Sequence, residues 1–315
     1  MGGIVARRLV AFVPVLVLTS IIVFSLLHLA PGDPVDVIVG EDRPSAEVLA
    51  QIREDLGLDQ PLPVQYWTWL SRAVQGDFGY SYRSRRPVMQ VVAERLPLTV
   101  ELSALSILFG LAIALPLGTI AALNRGKWPD AVATALAGLG TSMPAYWLGI
   151  LLIFTFSLGL HLLPPSGYVR INEDLGQNLR YMILPVFTLG SAYSAAMIRF
   201  VRASLLEHIG MDYIRTARAK GLAEPVVVRR HLFRNALIPI VTILGVETGR
   251  LLGGAILTET IFALPGLGRL SVDSILSRDF PTMQAAVMFM TVAVLGSNLL
   301  VDIAYNYIDP RIRVR

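Results

Sequence analysis

Five stretches of this chain run for 18 residues or more without Asp, Glu, Lys or Arg, and that spacing of charge dictates what it can fold into. They are Leu9–Gly32 (24 residues), Leu102–Asn124 (23), Ala131–Val169 (39), Tyr181–Ile198 (18) and Phe280–Val301 (22). As a helix, each is long enough, or nearly so, to cross a hydrocarbon layer about 30 Å thick. A sixth stretch, Asn235–Thr258, is interrupted only by Glu247 and Arg250. The expectation is an all-α membrane protein with six transmembrane helices. Within the 39-residue run, Leu163-Pro164-Pro165-Ser166-Gly167 breaks helix, so the run reads as one span with a re-entrant or loop tail. Splitting it into two crossings would give seven spans and disturb the charge pattern. The first run follows Arg7 and Arg8 but is longer than a signal-peptide core and has no small-residue cleavage site after it. It is expected to be a retained helix.

Charge orients the spans, because Lys and Arg concentrate at cytoplasmic ends. With both termini inside, the inner segments hold 15 of the 27 basic residues. The outer segments hold 11, of which 7 lie in the long loop Ala30–Leu96 beside 10 acidic residues. The layout is therefore N-in and C-in: residues 1–30 as the first helix, 31–96 as an extracytoplasmic loop domain, 97–305 as a five-helix core with a cytoplasmic loop at 204–234, and 306–315 as an inner tail. The outer loop is too long for a plain connector. One short helix is expected after Ser45, with Val48, Leu49, Ile52 and Leu56 on one face and Gly57 as its stop. A second is expected through Tyr66, Trp67, Leu70 and Val74, ending near Gly76. These read either as a cap lying on the outer leaflet or as a docking surface for an extracytoplasmic partner.

Several chemistries are excluded. The chain has 16% charged residues, against about 25% in soluble domains, and a mean hydropathy of +0.60. With no cysteine, disulfides, thiolate metal sites and cysteine nucleophiles are ruled out. No G-x-x-x-x-G-K-[ST] loop is present, since Gly126-Lys127 runs into Trp128, and there is no H-E-x-x-H. No nucleophile–base set suggests an intramembrane enzyme. Uphill transport would need an ion gradient or another chain.

The segment Ser204–Arg234 carries six basic and three acidic residues between two spans. In it stand Tyr213, Ile214, Arg215, Thr216, Ala217, Arg218, Ala219, Lys220, Gly221 and Leu222. The small residues permit close approach of a partner, Gly221 stops the helix and Pro225 starts the next. A basic helix resting on anionic lipid has the same composition. This run, followed by His231-Leu232-Phe233-Arg234-Asn235-Ala236, closely resembles the cytoplasmic EAA loop of ABC-importer permeases. Arg215-Thr216-Ala217 stands at the Glu-Ala-Ala position, and His231–Arg234 replaces the general I-x-L-P, as is typical of the dipeptide/oligopeptide/nickel branch. Ala30-Pro31-Gly32-Asp33-Pro34, Gly76-Asp77-Phe78-Gly79, Ser142-Met143-Pro144, Thr258–Phe262 with Pro265–Gly268, and Asn306 to Arg313 are similar to the hallmarks of the B-type subunit, in the same order.

The resemblance implies a type I ABC-importer permease fold in a bacterial or archaeal plasma (inner) membrane. Residues 213–222 would form the coupling helix that docks in an ATPase subunit. It implies as partners a second permease, two ATPase subunits, an extracytoplasmic solute-binding protein and a peptide substrate, besides membrane lipid, with no nucleic acid. No cofactor is expected in this chain, since ATP and Mg would be bound by the ATPases. The chain is expected to be a transport subunit and not an enzyme.

Along the path, Glu247 and Arg250 share one helical face at i, i+3. They read either as a pathway or gating pair or as a mutually neutralising structural pair. Ser142, Met143, Pro144 and Tyr146 interrupt the third span, as a gate, a pathway lining or a packing kink; Pro144 frees the carbonyl of Gly140 for Thr141 or Ser142. Gly245, Gly249 and Gly253 suggest a close helix–helix seam. Within the resemblance, nickel or another oligopeptide-like solute is the alternative cargo. Outside it, the alternative is an ion-coupled secondary transporter working through Glu247 and Arg250, although no inverted repeat of broken helices is evident.

Overall fold

The fold was taken from a computed structural model, which describes residues 2–29 and 57–308, with residues 47, 51, 53 and 54 between them. The expected helix at Ser45, Val48, Leu49, Ile52 and Leu56 lies outside the described residues, as do Ala30–Pro34 and Pro310–Arg313. Among the described residues the structure is helical, the one extended pairing being a bridge between Tyr80 and Pro87. In chain order the helices are α1 (Gly2–Leu29), α2 (Leu62–Val74), α3 (Val88–Leu123), α4 (Trp128–Ser142), α5 (Ala145–Leu152), α6 (Leu175–Ile209), α7 (Asp212–Ala219), α8 (Phe233–Ile261), α9 (Leu267–Leu276) and α10 (Phe280–Ile308). α5 runs on as a π-helical turn, Ile153–Gly159, and a second such turn, Val227–Leu232, leads into α8.

Among the described residues five helices are long and apolar enough to cross a membrane, and the pair α4 and α5 makes a sixth crossing if its bent halves are one span. That span is not a gently kinked rod. Its halves meet at 97° around Met143 and Pro144. Pro144 supplies no N–H to continue the ladder, so α4 closes on Met143 N donating to Leu139 O, and α5 restarts with Pro144 before its first residue. Thr141 does not repair the break; its hydroxyl donates to the Ala137 and Gly138 carbonyls.

The chain divides into two compact units. The first is drawn from Leu98–Leu264 with the part of α10 from Val294 on. Its centre is α6, against which α4, α5 and α8 pack. Met182, Leu189, Met197, Val201 and Leu205 of α6 are buried there. Asp174 caps α6 by accepting from Gln177 N at 3.0 Å. α3 approaches α6 unusually closely. A Cβ added at Gly110 would lie 2.6 Å from Tyr193 Cδ1, and one at Gly118 would lie 2.7 Å from Val201. Small residues substitute here for a hydrophobic driving force that lipid cannot supply.

The second unit is drawn from Ala6–Pro97 and Pro265–Ala293. α2 forms where expected and ends at Gly76, whose φ of +83° is left-handed. Ser20 of α1 shares a 2.8 Å hydrogen bond with the Tyr66 hydroxyl, and Phe24 packs edge-on against Tyr66. Val88, Val91 and Val92 pack with Leu267, Leu270, Ala285 and Ala286.

Candidate functional site

α7 is eight residues long, too short to stand alone in water, and two side chains hold it. Ile214 and Ala217, one turn apart, are buried in the core of the first unit. Arg215, Thr216, Arg218, Ala219 and Lys220 point outward and are exposed, as are Gly221 and Leu222 beyond the helix. Tyr213 is half-buried, and burial pushes its hydroxyl pKa up. Asp212 stands in the first turn, where a helix favours negative charge. Lys220 N donates to Thr216 O at 3.1 Å and Gly221 N to Arg218 O at 2.9 Å, and Gly221 turns away at φ +75°.

A further tie fixes the exit. Arg218 donates twice to the Glu224 carboxylate, at 3.1 and 2.6 Å. The hydrogen bond from Arg218 holds the Glu224 pKa below its usual value. Pro225 then opens the next turn as expected, and Val227 and Leu232 return the chain to the core. The result is a short rigid knob, anchored on one side and presenting basic and small residues on the other.

Inside the spans, Arg250 Nη1 donates to Glu247 Oε1 at 2.9 Å. Glu247 is buried, whereas the Arg250 side chain is 74% exposed. The pair therefore forms, with its cation on the outside of this chain. Tyr146 is exposed just after the bend, while Ser142, Met143 and Pro144 form the bend itself. The glycine seam is partly internal. A Cβ at Gly245 would lie 3.0 Å from Val301 and one at Gly249 3.6 Å from Val294, but nothing lies within 4 Å of Gly253.

Four polar ties were not predicted from the sequence. Arg202 of α6 grips Asp130 of α4 with two hydrogen bonds, at 2.5 and 2.8 Å, and Gly126 N adds a third at 2.9 Å. At the outer end of α6, Glu101 accepts from the Tyr168 hydroxyl and from Asn178 Nδ2, each at 2.7 Å. Burial, and then the Glu101 contact, raises the Tyr168 pKa well above the ordinary phenol range. Thr99 donates to the fully buried Glu259 at 2.6 Å. In the second unit, Asp279 accepts from Ser81 Oγ (2.5 Å), Tyr82 N (3.0 Å) and Thr282 Oγ1 (2.9 Å). Burial, with Asp279 beside it, pushes Tyr82 up to about 12.

Apolar helices long enough to cross a membrane, carrying one short exposed basic helix, define an integral membrane protein. Comparison with known proteins agrees and goes further. The family described as "Binding-protein-dependent transport system inner membrane component" matches residues 114–314. Its companion, "Binding-prot-dependent transport system membrane comp, N-term", matches residues 1–103. The glutathione transport system permease protein GsiC of Escherichia coli K12 is 44% identical over 311 residues, 99% of each chain. That of Salmonella typhi is 43% identical over the same span. Among solved structures, an inward-facing MetNI methionine ABC transporter aligns at TM-score 0.58 and 18% identity, covering 70% of this chain and 97% of that one. An amino acid ABC transporter crystallised with histidines aligns at 0.52 and 19%, covering 69% and 94%. These two likenesses concern the fold.

The chain thus belongs to the binding-protein-dependent transport system inner membrane components and is an ABC-importer permease subunit with the type I fold. It is a multi-pass inner-membrane protein and a transport subunit, not an enzyme. Its class works with a partner permease, ATPases and a solute-binding protein.

Proposed function

We propose that this permease imports short peptides, with cargo of about tripeptide size, and that α7 is the lever through which the ATPases move it. The observation that carries the cargo reading is the end-to-end likeness to glutathione permeases. The peptide-importer form of Arg215-Thr216-Ala217 and His231–Arg234 supports it. The lever reading rests on the anchoring of α7 by Ile214 and Ala217, with Arg215, Thr216, Ala219, Lys220 and Leu222 left for a partner. A stiff element with two anchors moves as a body when pushed, which a flexible loop does not. Arg218 is already engaged by Glu224 and sets the angle of the exit.

The pathway reading places Ser142, Met143, Pro144 and Tyr146 at a gate. A guanidinium facing lipid tails is costly, so Arg250 is covered by the second permease or by water, and Glu247 holds it there. ATP and Mg belong to the ATPases. The 31–96 segment serves as the outer cap, and 97–305 as the permease core with its coupling loop at 204–234.

The test is ATP hydrolysis by the reconstituted complex with its binding protein, with glutathione, a dipeptide or a nickel chelate as the added solute. Stimulation by the peptides is expected; stimulation by nickel alone overturns the cargo reading. The paired change Arg215→Glu with Lys220→Glu is expected to release the ATPases while the helix bundle keeps its thermal stability. Retention of the ATPases and of uptake in that variant sinks the lever reading.

A further inference from the structure

Where the π-helical turn after α5 ends and α6 begins, the first unit holds a cavity of about 250 Å³. His161, Leu163 and Pro164 form one wall, and Gln177, Arg180 and Tyr181 of α6 form the other. The three α6 residues share a helical face at i, i+3 and i+4. The first wall is fixed by its backbone. Leu160 N donates to Thr155 O and Leu162 N to Phe156 O, each at 2.9 Å, so both neighbours of His161 are tied back to the turn. His161 between them is left-handed, at φ +54°, a conformation uncommon outside glycine. Arg180 Nη2 donates to Leu162 O at 3.2 Å and joins the two walls.

The lining offers donors and no carboxylate. Arg180, His161 and Gln177 are all exposed to the solvent side of the walls. Among the described residues neither Arg180 nor His161 makes an ion pair. Asp174, at the start of α6, already accepts from Gln177 N at 3.0 Å and does not line the cavity. The imidazole presents an N–H in either tautomer. A guanidinium beside hydrocarbon seeks a polar partner, and a phosphate meets it with a forked pair of charge-assisted hydrogen bonds. A second observation says what carries that phosphate. Leu158, Leu160 and Leu162, beside the first wall, are exposed, as are Leu175, Leu179 and Ile183 of α6. The last three form a stripe at i, i+4 and i+8. A ligand that satisfies both surfaces has an anionic head and hydrocarbon tails.

We propose that this cavity seats the phosphodiester of one outer-leaflet phospholipid, with its free oxygens accepting from Arg180 and His161 and its acyl chains lying on the exposed leucines beside them. Basic pockets between spans bind lipid phosphate in this way. The leaflet follows from the N-in layout, which puts the start of α6 on the outer side. The seated lipid bridges the exit of the third crossing and the head of α6, the two segments that supply its walls. The site shares no residue with the Glu247–Arg250 pair or with the bend at Pro144, and it does not depend on what the permease carries.

The experiment uses the assembled complex, purified in detergent and stripped of lipid. Dioleoylphosphatidylglycerol is added back, and bound lipid is counted by native mass spectrometry. Arg180→Gln is expected to raise the Kd of the tightest-bound lipid about tenfold, the loss of a charge-assisted contact. His161→Asn, which tolerates the left-handed backbone, is expected to raise it about threefold. Arg180→Lys keeps the charge without the fork and should fall between wild type and Arg180→Gln. Added lipid should raise the Tm of wild type more than that of Arg180→Gln, while the two melt alike without lipid; an arginine with a merely structural role would lower the lipid-free Tm instead. Should Arg180→Gln fail to assemble, His161→Asn carries the comparison. An unchanged Kd in both overturns the proposal. So does an equal loss in Arg170→Gln, an exposed arginine outside the cavity, since that is diffuse surface charge. Glycerol 3-phosphate bound as tightly as the lipid assigns the cavity to a soluble phosphate, and oleate bound as tightly assigns it to a carboxylate; either overturns the proposal. Trialanine bound by wild type and lost in Arg180→Gln assigns it to cargo and overturns it as well.

Discussion

The two units of this permease are held together by different physics. In the α6-centred unit the decisive contacts are absences of side chain: Gly110 and Gly118 let α3 lie against α6 with no room for a methyl group. In the second unit the decisive contact is one carboxylate, Asp279, which gathers two hydroxyls and a backbone amide from segments nearly 200 residues apart in sequence. The difference follows from the solvent. Between spans, lipid tails compete evenly for apolar surface, so shape decides. At the outer ends, polar groups leave water and must be matched.

Breaking the first side of that contrast is expected to have the largest effect. Gly118→Leu places its Cβ 2.7 Å from Val201 Cβ and 3.0 Å from the Ile198 carbonyl. Even one added methylene in a packed core costs about 1–3 kcal/mol, so the leucine variant should lose the folded bundle on size-exclusion chromatography. Gly138→Ala is the matched control. Nothing lies within 4 Å of its Cβ, and it should be neutral or slightly stabilised by helix propensity.

On the other side, Asp279→Ala strands the Ser81 and Thr282 hydroxyls and the Tyr82 amide. A loss of about 2–3 kcal/mol is expected, read as a lowered Tm and as faster proteolysis within residues 79–87. Asp279→Asn, which keeps an acceptor, should lose less. If the glycine change is harmless and the aspartate change unfolds the chain, the contrast is wrong.

The smallest effect belongs to the Arg218–Glu224 pair, which lies in water and sharpens the rule. Glu224 has its pKa lowered when folded, so its contribution is present above the ordinary carboxylate pKa and is lost as pH falls through the lowered folded value. Both side chains are largely exposed, and solvent screening limits the pair to under about 1 kcal/mol. Unfolding of wild type and Glu224→Gln should therefore differ slightly at pH 7 and converge once the pH has fallen through the lowered folded pKa.

The spans were legible because a charge inside lipid is expensive, and six charge-poor stretches say so directly. α7 was legible because Gly221 and Pro225 are local signals with local consequences. The break at Pro144 was visible, but its angle was not, because a proline fixes a missing bond and the surroundings fix the bend. Glu247 and Arg250 pair as their i, i+3 spacing implies; no sequence feature said that the arginine would face outward. Asp130 with Arg202 and Ser81 with Asp279 were out of reach, since partners 72 and 198 residues apart leave no periodic trace. The seam sought at Gly245, Gly249 and Gly253 is only partly packed within the chain, whereas Gly110 and Gly118, eight apart on one face, form the tighter one. Spacing marks a small-residue face and does not say which neighbour uses it.

The near-right-angle turn between α4 and α5 has an electrical consequence. In an unbroken helix the peptide dipoles cancel along the middle and leave partial charges only at the two ends. Here an extra pair, about half a unit negative at the close of α4 and half positive at the opening of α5, stands at the bend itself, among apolar helices. Being made of backbone, that pair keeps its value at every pH at which the protein stays folded.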